Sequence, residues 1–144
     1  EHGDTLARIR NVGIRLEEHP HLRVLPYLYN MPEAMAMADV AVFRAGATGL
    51  AELAARGVPA ILIPYPYAAE NHQEKNARAM EAAGAAEVIL NRDVSSAALE
   101  RALHALLTDD VRRAAMAAAM KQLGKPEAAE EIAALALRIC HREG

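Results

Sequence analysis

The sequence predicts an α/β domain in which a parallel sheet is flanked by helices. Short apolar runs of strand length alternate with amphipathic stretches of helical length, which is the pattern of successive βαβ units. Apolar residues make up 53% of the 144 residues, but aromatic residues only 3%. This composition favours small side chains packed between helices and a sheet, and the length suffices for one domain with a buried core.

Four segments are predicted to be strands because each is short, largely apolar and bounded by turn residues. The first, HLRVLPYL, runs into a loop, whereas DVAVF and the two later runs fit buried strands. Four strands are few for a doubly wound sheet, so we expect at least one further strand upstream of Glu1. The predicted strands are residues 21–28, 39–43, 60–63 and 86–90.

The predicted helices show apolar residues at a period of 3.6 and have clear start or stop signals. Pro32 lies in the first turn of one helix, where its lack of an N–H is tolerated. Gly57 and Gly84 follow the last periodic residues of two others, and Pro126 separates the final pair. The predicted helices are residues 4–18, 31–38, 48–56, 71–83, 95–107, 109–122 and 126–142.

Charge and cysteine content argue against several classes of protein. The formal net charge of −3 gives no electrostatic case for a nucleic-acid partner. Cys140 is the only cysteine, so no internal disulfide forms and we expect a reducing, cytoplasmic compartment. The sequence contains no apolar run of membrane-spanning length, and its histidines lack metal-ligand spacing. We therefore expect neither a membrane helix nor a metal or cofactor.

Polar residues concentrate in three loops that leave strand ends and enter helices, residues 27–31, 44–48 and 64–71. In open α/β sheets, ligands bind outside the carboxyl ends of the strands. We therefore expect a ligand site where these loops meet.

The segment RAGATGLAE, which begins at Arg44, is a candidate anion site. Gly46 and Gly49 permit backbone angles and close approach that other residues resist, and the following helix exposes N–H groups at its positive end. An ordinary strand-to-helix turn would also use glycine, and the spacing matches neither GxGxxG nor a P-loop. Spacing alone leaves both interpretations open.

Glu52 projects away from the buried stripe of its helix, toward the side of Thr48. A carboxylate one turn below a phosphate-binding helix start could accept hydrogen bonds from both hydroxyls of a ribose. The alternative is a surface ion pair between Glu52 and Arg56 at i,i+4, which contributes roughly a few tenths of a kcal/mol.

The segment ENHQEKNA forms a second cluster. Asn71 and Glu74 fit a capping box. Gln73 and Asn76 share a face with inward-pointing apolar residues, and buried amides must be hydrogen-bonded, which a polyhydroxylated ligand would achieve. His72, in the first helical turn, could donate to a phosphate or sugar oxygen, or be a solvated helix-end residue.

Tyr27 and Leu28 form a third candidate. The tyrosine ring could cover a flat base while backbone groups bind the edge of that base. The alternative is an aromatic residue of the core.

Together these segments resemble the donor half of a nucleotide-sugar glycosyltransferase, and the family that they resemble is MurG. The similarity runs from about residue 22 to the C-terminus, and its most specific part is HQEKNAR after the GVPAILIP strand. MurG enzymes add N-acetylglucosamine to the lipid-linked muramyl-pentapeptide precursor of peptidoglycan. The resemblance implies the GT-B fold, which has two Rossmann-like domains with the active site between them. Residues 1–144 would form part of the C-terminal, donor-binding domain.

The resemblance also gives roles to individual residues. It implies that Tyr27 packs on the uracil, that Glu52 binds the ribose hydroxyls, and that the pair His72 and Gln73 faces the sugar hydroxyls or phosphates. From pattern and resemblance together, the candidate donor-binding residues are Tyr27, Leu28, Arg44, Gly46, Ala47, Thr48, Glu52, His72, Gln73 and Asn76.

Residues 1–144 contain neither the family's acceptor-binding domain, with its proposed catalytic base, nor its GGSQGA-type loop. We therefore expect no catalytic residue here, weak donor binding and no turnover by this chain alone. The expected partners are UDP-N-acetylglucosamine, the N-terminal domain of a longer protein and, through it, the lipid-linked acceptor at the cytoplasmic face of the cell membrane. Two alternatives stay open: a non-catalytic nucleotide-sugar-binding module that needs a partner subunit, and a related glycolipid glycosyltransferase.

Overall fold

The computed structural model of the protein describes residues 2–125 and 127–140. The chain divides into two compact units, one ending at Met31 and one beginning at Pro32. The first unit contains helix α1 (His2–Asn11) and a 3-10 turn at Leu16–Glu18. The sheet and the candidate anion loop belong to the second unit.

The second unit is built on a three-stranded parallel sheet in the order β1-β2-β3. Its strands are β1 (Ala41–Phe43), β2 (Ala60–Leu62) and β3 (Ala86–Val88). Val42 lies opposite Ile61, and Ile61 lies opposite Glu87. The predicted class, a parallel sheet flanked by helices, is confirmed, and all three carboxyl ends meet at one edge of the sheet.

The helices predicted around this sheet are present. Ser95 and Asp109 cap the starts of two of them, since their side-chain oxygens accept hydrogen bonds from Ala98 N and Arg112 N.

In the described part of the chain, no helix is long and apolar enough to cross a membrane. Residues 126, 141 and 142 of the last predicted helix lie outside the described residues. The helices are α2 (Met31–Ala36), α3 (Ala47–Arg56), α4 (His72–Ala82), α5 (Ser96–Thr108), α6 (Asp110–Leu123) and α7 (Ala128–Cys140).

Two predictions for the first unit are wrong. Residues 21–28 form no strand, because a strand needs a hydrogen-bonded neighbour, which the described residues of this unit do not supply, and Pro26 has no N–H to donate. The helix predicted for residues 4–18 ends at Asn11, because Gly13 adopts a left-handed φ of +84°. Local apolar periodicity predicts both elements. The strand does not form because it has no pairing partner, and the helix is shorter because the left-handed φ of Gly13 ends it.

The core surrounds the central strand β2. Ile61 and Leu62 are fully buried, as are Leu53 of α3, Leu106 of α5 and Met120 of α6. Burying a side chain of this size stabilises the fold by about 1.5–3 kcal/mol. Leu53 anchors α3 in this core, so the start of α3, which follows β1, is held in a fixed position at the carboxyl edge of the sheet.

Gly49 fixes how closely the first turn of α3 approaches β1. A Cβ atom at this position would overlap the ring of Phe43. The predicted close approach is therefore confirmed at Gly49, and the ring of the last strand residue packs directly under the helix start.

Gly49→Ala is expected to destabilise the protein by about 1 kcal/mol or more, because the added methyl group must displace the Phe43 ring or the helix. Thermal and urea unfolding measure the change. The matched control is Gly3→Ala in α1, where an added Cβ meets no atom within 4 Å. This substitution is expected to leave the stability of the protein unchanged or slightly raised. Combining Gly49→Ala with Phe43→Leu should recover part of the loss, and equal stability of the Gly49→Ala variant and the parent chain would contradict the packing argument.

Candidate functional site

The loop from β1 into α3 exposes backbone donors at the carboxyl edge of the sheet. The helix begins at Ala47, one residue earlier than predicted, with Gly46 as its N-cap. The first intrahelical bond runs from Leu50 N–H to Gly46 O, at 3.0 Å. The N–H groups of Ala47, Thr48 and Gly49 precede that bond, so they and the helix dipole form a favourable environment for an anion.

The reason predicted for Gly46 is wrong. Its φ of −73° and ψ of 142° are extended angles that any residue adopts. An added Cβ would meet only the Nε2 atom of Gln73, at 3.9 Å. Gly46 therefore leaves open space between the helix start and the Gln73 amide, rather than an unusual backbone angle.

Gln73 holds a fixed orientation at the start of α4. Its Oε1 atom accepts a hydrogen bond of 2.9 Å from the backbone N–H of Tyr65. Because the amide oxygen is engaged in this bond, Nε2 is the end of the amide that faces the Gly46 loop. The half-buried amide is hydrogen-bonded, as predicted, and it presents donors to the same space as the N-terminus of α3.

Asn76 lies one turn further along α4 and is also half-buried. Its Nδ2 atom donates to Ala45 O over 3.4 Å, which is a long bond. This contact links α4 to the loop that precedes α3. Both predicted inward amides of α4 are therefore hydrogen-bonded to loops of the candidate site. Gln73 bonds to the loop after β2, and Asn76 bonds to the loop after β1.

Glu52 is half-buried on α3, one helical turn beyond Thr48. Within the described residues it makes no hydrogen bond or ion pair. Arg56, the alternative partner, donates from Nε to Pro32 O at 2.8 Å. The alternative surface pair is therefore not formed, and the carboxylate is available to a ligand.

His72 is exposed, with Nδ1 2.7 Å from Ala69 O. Since a carbonyl oxygen only accepts, Nδ1 is the donor in this bond. The free Nε2 of a neutral ring then accepts a hydrogen bond, for example from a sugar hydroxyl, and donates only when the ring is protonated. The predicted donor role thus requires the imidazolium form.

The predicted capping box at the start of α4 is wrong. Asn71 adopts a left-handed φ of 55°, directly after Glu70 at φ 50°, and its side chain does not accept from the helix. Its Nδ2 atom instead donates to Glu74 Oε2 at 2.8 Å. Two consecutive left-handed residues without glycine store backbone strain in this loop.

Arg44 spans the ends of all three strands. Its Nη1 atom donates to Ile63 O at 3.1 Å and to Pro64 O at 3.4 Å, both after β2, and to Asn91 Oδ1 at 3.0 Å, after β3. Its guanidinium carbon lies 5.8 Å from the centroid of the Tyr65 ring. The donor-binding role of Arg44 stays a prediction, since the only nitrogen with a hydrogen bond in the described residues, Nη1, serves the protein itself.

Tyr27 and Leu28 belong to the first unit. The Tyr27 ring is 66% exposed and meets the Tyr29 ring edge-on, with 4.8 Å between centroids. The alternative of a buried core aromatic is therefore wrong, and the role of both residues toward a base stays a prediction.

Sequence reasoning missed two residues of the site, Tyr65 and Asn91. Tyr65 orients Gln73 through its backbone N–H, and Asn91 receives the Arg44 guanidinium. The strand order alone could have indicated Asn91, because the loop after β3 lies beside the end of β2. Across residues 2–125 and 127–140, no group of three His, Cys, Asp or Glu side chains could hold a metal ion.

The model of the glycosyltransferase family 28 C-terminal domain matches residues 5–132. This chain belongs to that family. Two bacterial proteins that are similar to this chain carry the same name. Each is called UDP-N-acetylglucosamine–N-acetylmuramyl-(pentapeptide) pyrophosphoryl-undecaprenol N-acetylglucosamine transferase. The one from Halothermothrix orenii is 46% identical over 123 residues, covering 85% of this chain and 33% of the relative. The one from Moorella thermoacetica is 44% identical over 133 residues, covering 92% of this chain and 36% of the relative.

Solved structures place the family 28 domain in the GT-B fold. The crystal structure of Acinetobacter baumannii MurG superimposes with a TM-score of 0.69 at 30% identity, covering 78% of this chain and 32% of that chain. The glycotransferase of kitacinnamycin gives a TM-score of 0.63 at 26% identity, covering 83% of this chain and 31% of that one. The resemblance to MurG is confirmed, and the chain spans about a third of the length of these proteins.

Proposed function

We propose that this domain binds the donor UDP-N-acetylglucosamine for an inverting transferase that builds the lipid-linked precursor of peptidoglycan. The observation that carries the proposal is the convergence of two sets of donors on one space. The N–H groups at the start of α3 and the Nε2 atom of Gln73 both border the gap at Gly46. The names of the relatives at 44–46% identity support the choice of donor and acceptor.

The diphosphate would bind at the helix start. Ala47 and Thr48 are exposed, so their N–H groups can approach phosphate oxygens without rearrangement of the core. The side chain of Glu52, one turn away on the same helix, would accept hydrogen bonds from the two ribose hydroxyls. Gln73, Asn76 and His72 would face the sugar.

The chemical step would be a direct displacement. An acceptor hydroxyl oxygen forms a bond to the anomeric carbon while the bond from that carbon to the diphosphate oxygen breaks, so UDP leaves with the bonding electrons. The positive end of α3 would stabilise the negative charge that develops on the diphosphate. The hydroxyl proton would pass to a base that we expect in the N-terminal domain of the longer protein, together with the acceptor site at the cytoplasmic membrane face.

Titration of the 15N-labelled 144-residue chain with UDP, UDP-N-acetylglucosamine and UDP-glucose tests the proposal. The amide signals of Ala47, Thr48 and Gly49 are expected to shift with all three ligands. The side-chain amide signals of Gln73 are expected to shift most with UDP-N-acetylglucosamine. Absence of shifts at the start of α3 at millimolar ligand would refute donor binding by this domain.

A further inference from the structure

The Arg44 side chain acts on the peptide group that orients Gln73. Arg44 Nη1 donates to Pro64 O over a long bond of 3.4 Å, and the N–H of the same peptide group, on Tyr65, donates to Gln73 Oε1 at 2.9 Å. The peptide group is planar, and its oxygen and hydrogen point in opposite directions when it is trans. Fixing the oxygen on one side therefore fixes the direction of the hydrogen on the other.

Three further contacts hold this arrangement. The same Nη1 atom donates to Ile63 O and Asn91 Oδ1, which ties the guanidinium to the ends of β2 and β3. The Tyr65 ring lies within cation–π distance of the guanidinium, at 5.8 Å. All three acceptors lie within 3.4 Å of the same Nη1 atom and share its two hydrogens, so this end of the guanidinium is held by the loops after β2 and β3.

We propose that Arg44 is a positioning residue that acts on the bound sugar through the amide of Gln73. It holds the Pro64–Tyr65 peptide so that Gln73 Oε1 stays occupied and Nε2 points into the gap at Gly46. The effect on the sugar rests on the function proposed above, whereas the effect on the peptide does not.

The first test needs no ligand. In Arg44→Gln, exchange of the Tyr65 amide hydrogen is expected to be about five- to tenfold faster, the scale of one weakened hydrogen bond. The amide of Val58, which donates to Leu53 O at the far end of α3, reports on the rest of the fold and should not change. Arg101→Gln is the matched control, since Arg101 is an exposed arginine on α5.

The second test is a double-mutant cycle on the affinity for UDP-N-acetylglucosamine. Gln73→Ala is expected to weaken binding about tenfold in the parent chain but less than about twofold in the Arg44→Gln background. The affinity for UDP should be nearly unchanged by Arg44→Gln. If Arg44→Gln fails to fold, Asn91→Ala takes its place, because it removes one exposed acceptor of Arg44 Nη1. Its effects on Tyr65 exchange and on sugar affinity should have the same direction but be smaller.

Two results would overturn the proposal. One is unchanged Tyr65 exchange in a folded Arg44→Gln chain. The other is that Arg44→Gln weakens the binding of UDP and of UDP-N-acetylglucosamine equally, and that this loss multiplies with the loss caused by Gln73→Ala. Independent effects of this kind would make Arg44 a direct ligand contact. If the parent chain binds no nucleotide sugar, the proposed function fails, and the exchange measurement still decides the role of Arg44.

Discussion

Replacing Glu52 by alanine is expected to weaken the binding of UDP by about 10- to 150-fold, or about 1.5–3 kcal/mol. The carboxylate is half-buried, lies one turn from the start of α3, and has no hydrogen-bond or ion-pair partner among the described residues. The substitution would therefore remove two charge-assisted hydrogen bonds to the ribose hydroxyls without breaking a contact within the protein. Titrations of the variant and the parent chain with UDP, followed by amide chemical shifts, measure the ratio of affinities.

Two controls separate the ribose contact from general effects. Glu52→Gln keeps the shape of the side chain but removes its charge, so it should retain part of the affinity. Glu100→Ala makes the same substitution at an exposed position of α5 and should leave UDP binding unchanged. Unaltered UDP affinity in Glu52→Ala would remove the ribose assignment. The ion pair with Arg56 is not formed in the structure, where Arg56 Nε donates to Pro32 O.

The parts of this site that follow from local patterns could be predicted from the sequence. Strand runs such as residues 39–43 and 60–63 and the helix starts near Thr48 and Asn71 were located to within a few residues, because apolar periodicity and turn residues are local signals. Their meeting at one sheet edge followed from parallel βα topology. The inward amides of α4 could be predicted because they interrupt an otherwise apolar face.

The parts that depend on distant partners could not be predicted. Asn71 fitted a capping box by spacing, but its left-handed φ of 55° excludes that geometry. Arg44 bonds to Asn91, 47 positions later in the chain, and no spacing rule connects them. The apolar pattern of residues 21–28 met the rule for a strand, yet a strand is defined by pairing, which the segment's own sequence does not encode.

Gln73→Glu is expected to weaken the binding of UDP-N-acetylglucosamine by about 100-fold, more than Gln73→Ala, which should weaken it about tenfold. The glutamate can still accept the hydrogen bond from the Tyr65 N–H, so the loop contact of 2.9 Å survives. What changes is the atom facing the gap at Gly46, where a donor is replaced by a negatively charged acceptor next to the diphosphate. NMR titrations of the three chains at low and high ionic strength measure the effect.

The order of the two variants distinguishes a ligand-facing amide from a structural one. If Gln73 served only to hold Tyr65, glutamate would preserve that bond and be tolerated better than alanine, so this reversed order would contradict the donor role. Added salt should recover part of the loss in Gln73→Glu and little of the loss in Gln73→Ala, because only the former involves repulsion between charges. Gln122→Glu adds the same charge on the exposed surface of α6 and should change the affinity by less than about twofold. A large loss with Gln122→Glu would mean that net charge, not the position at the start of α4, governs donor binding.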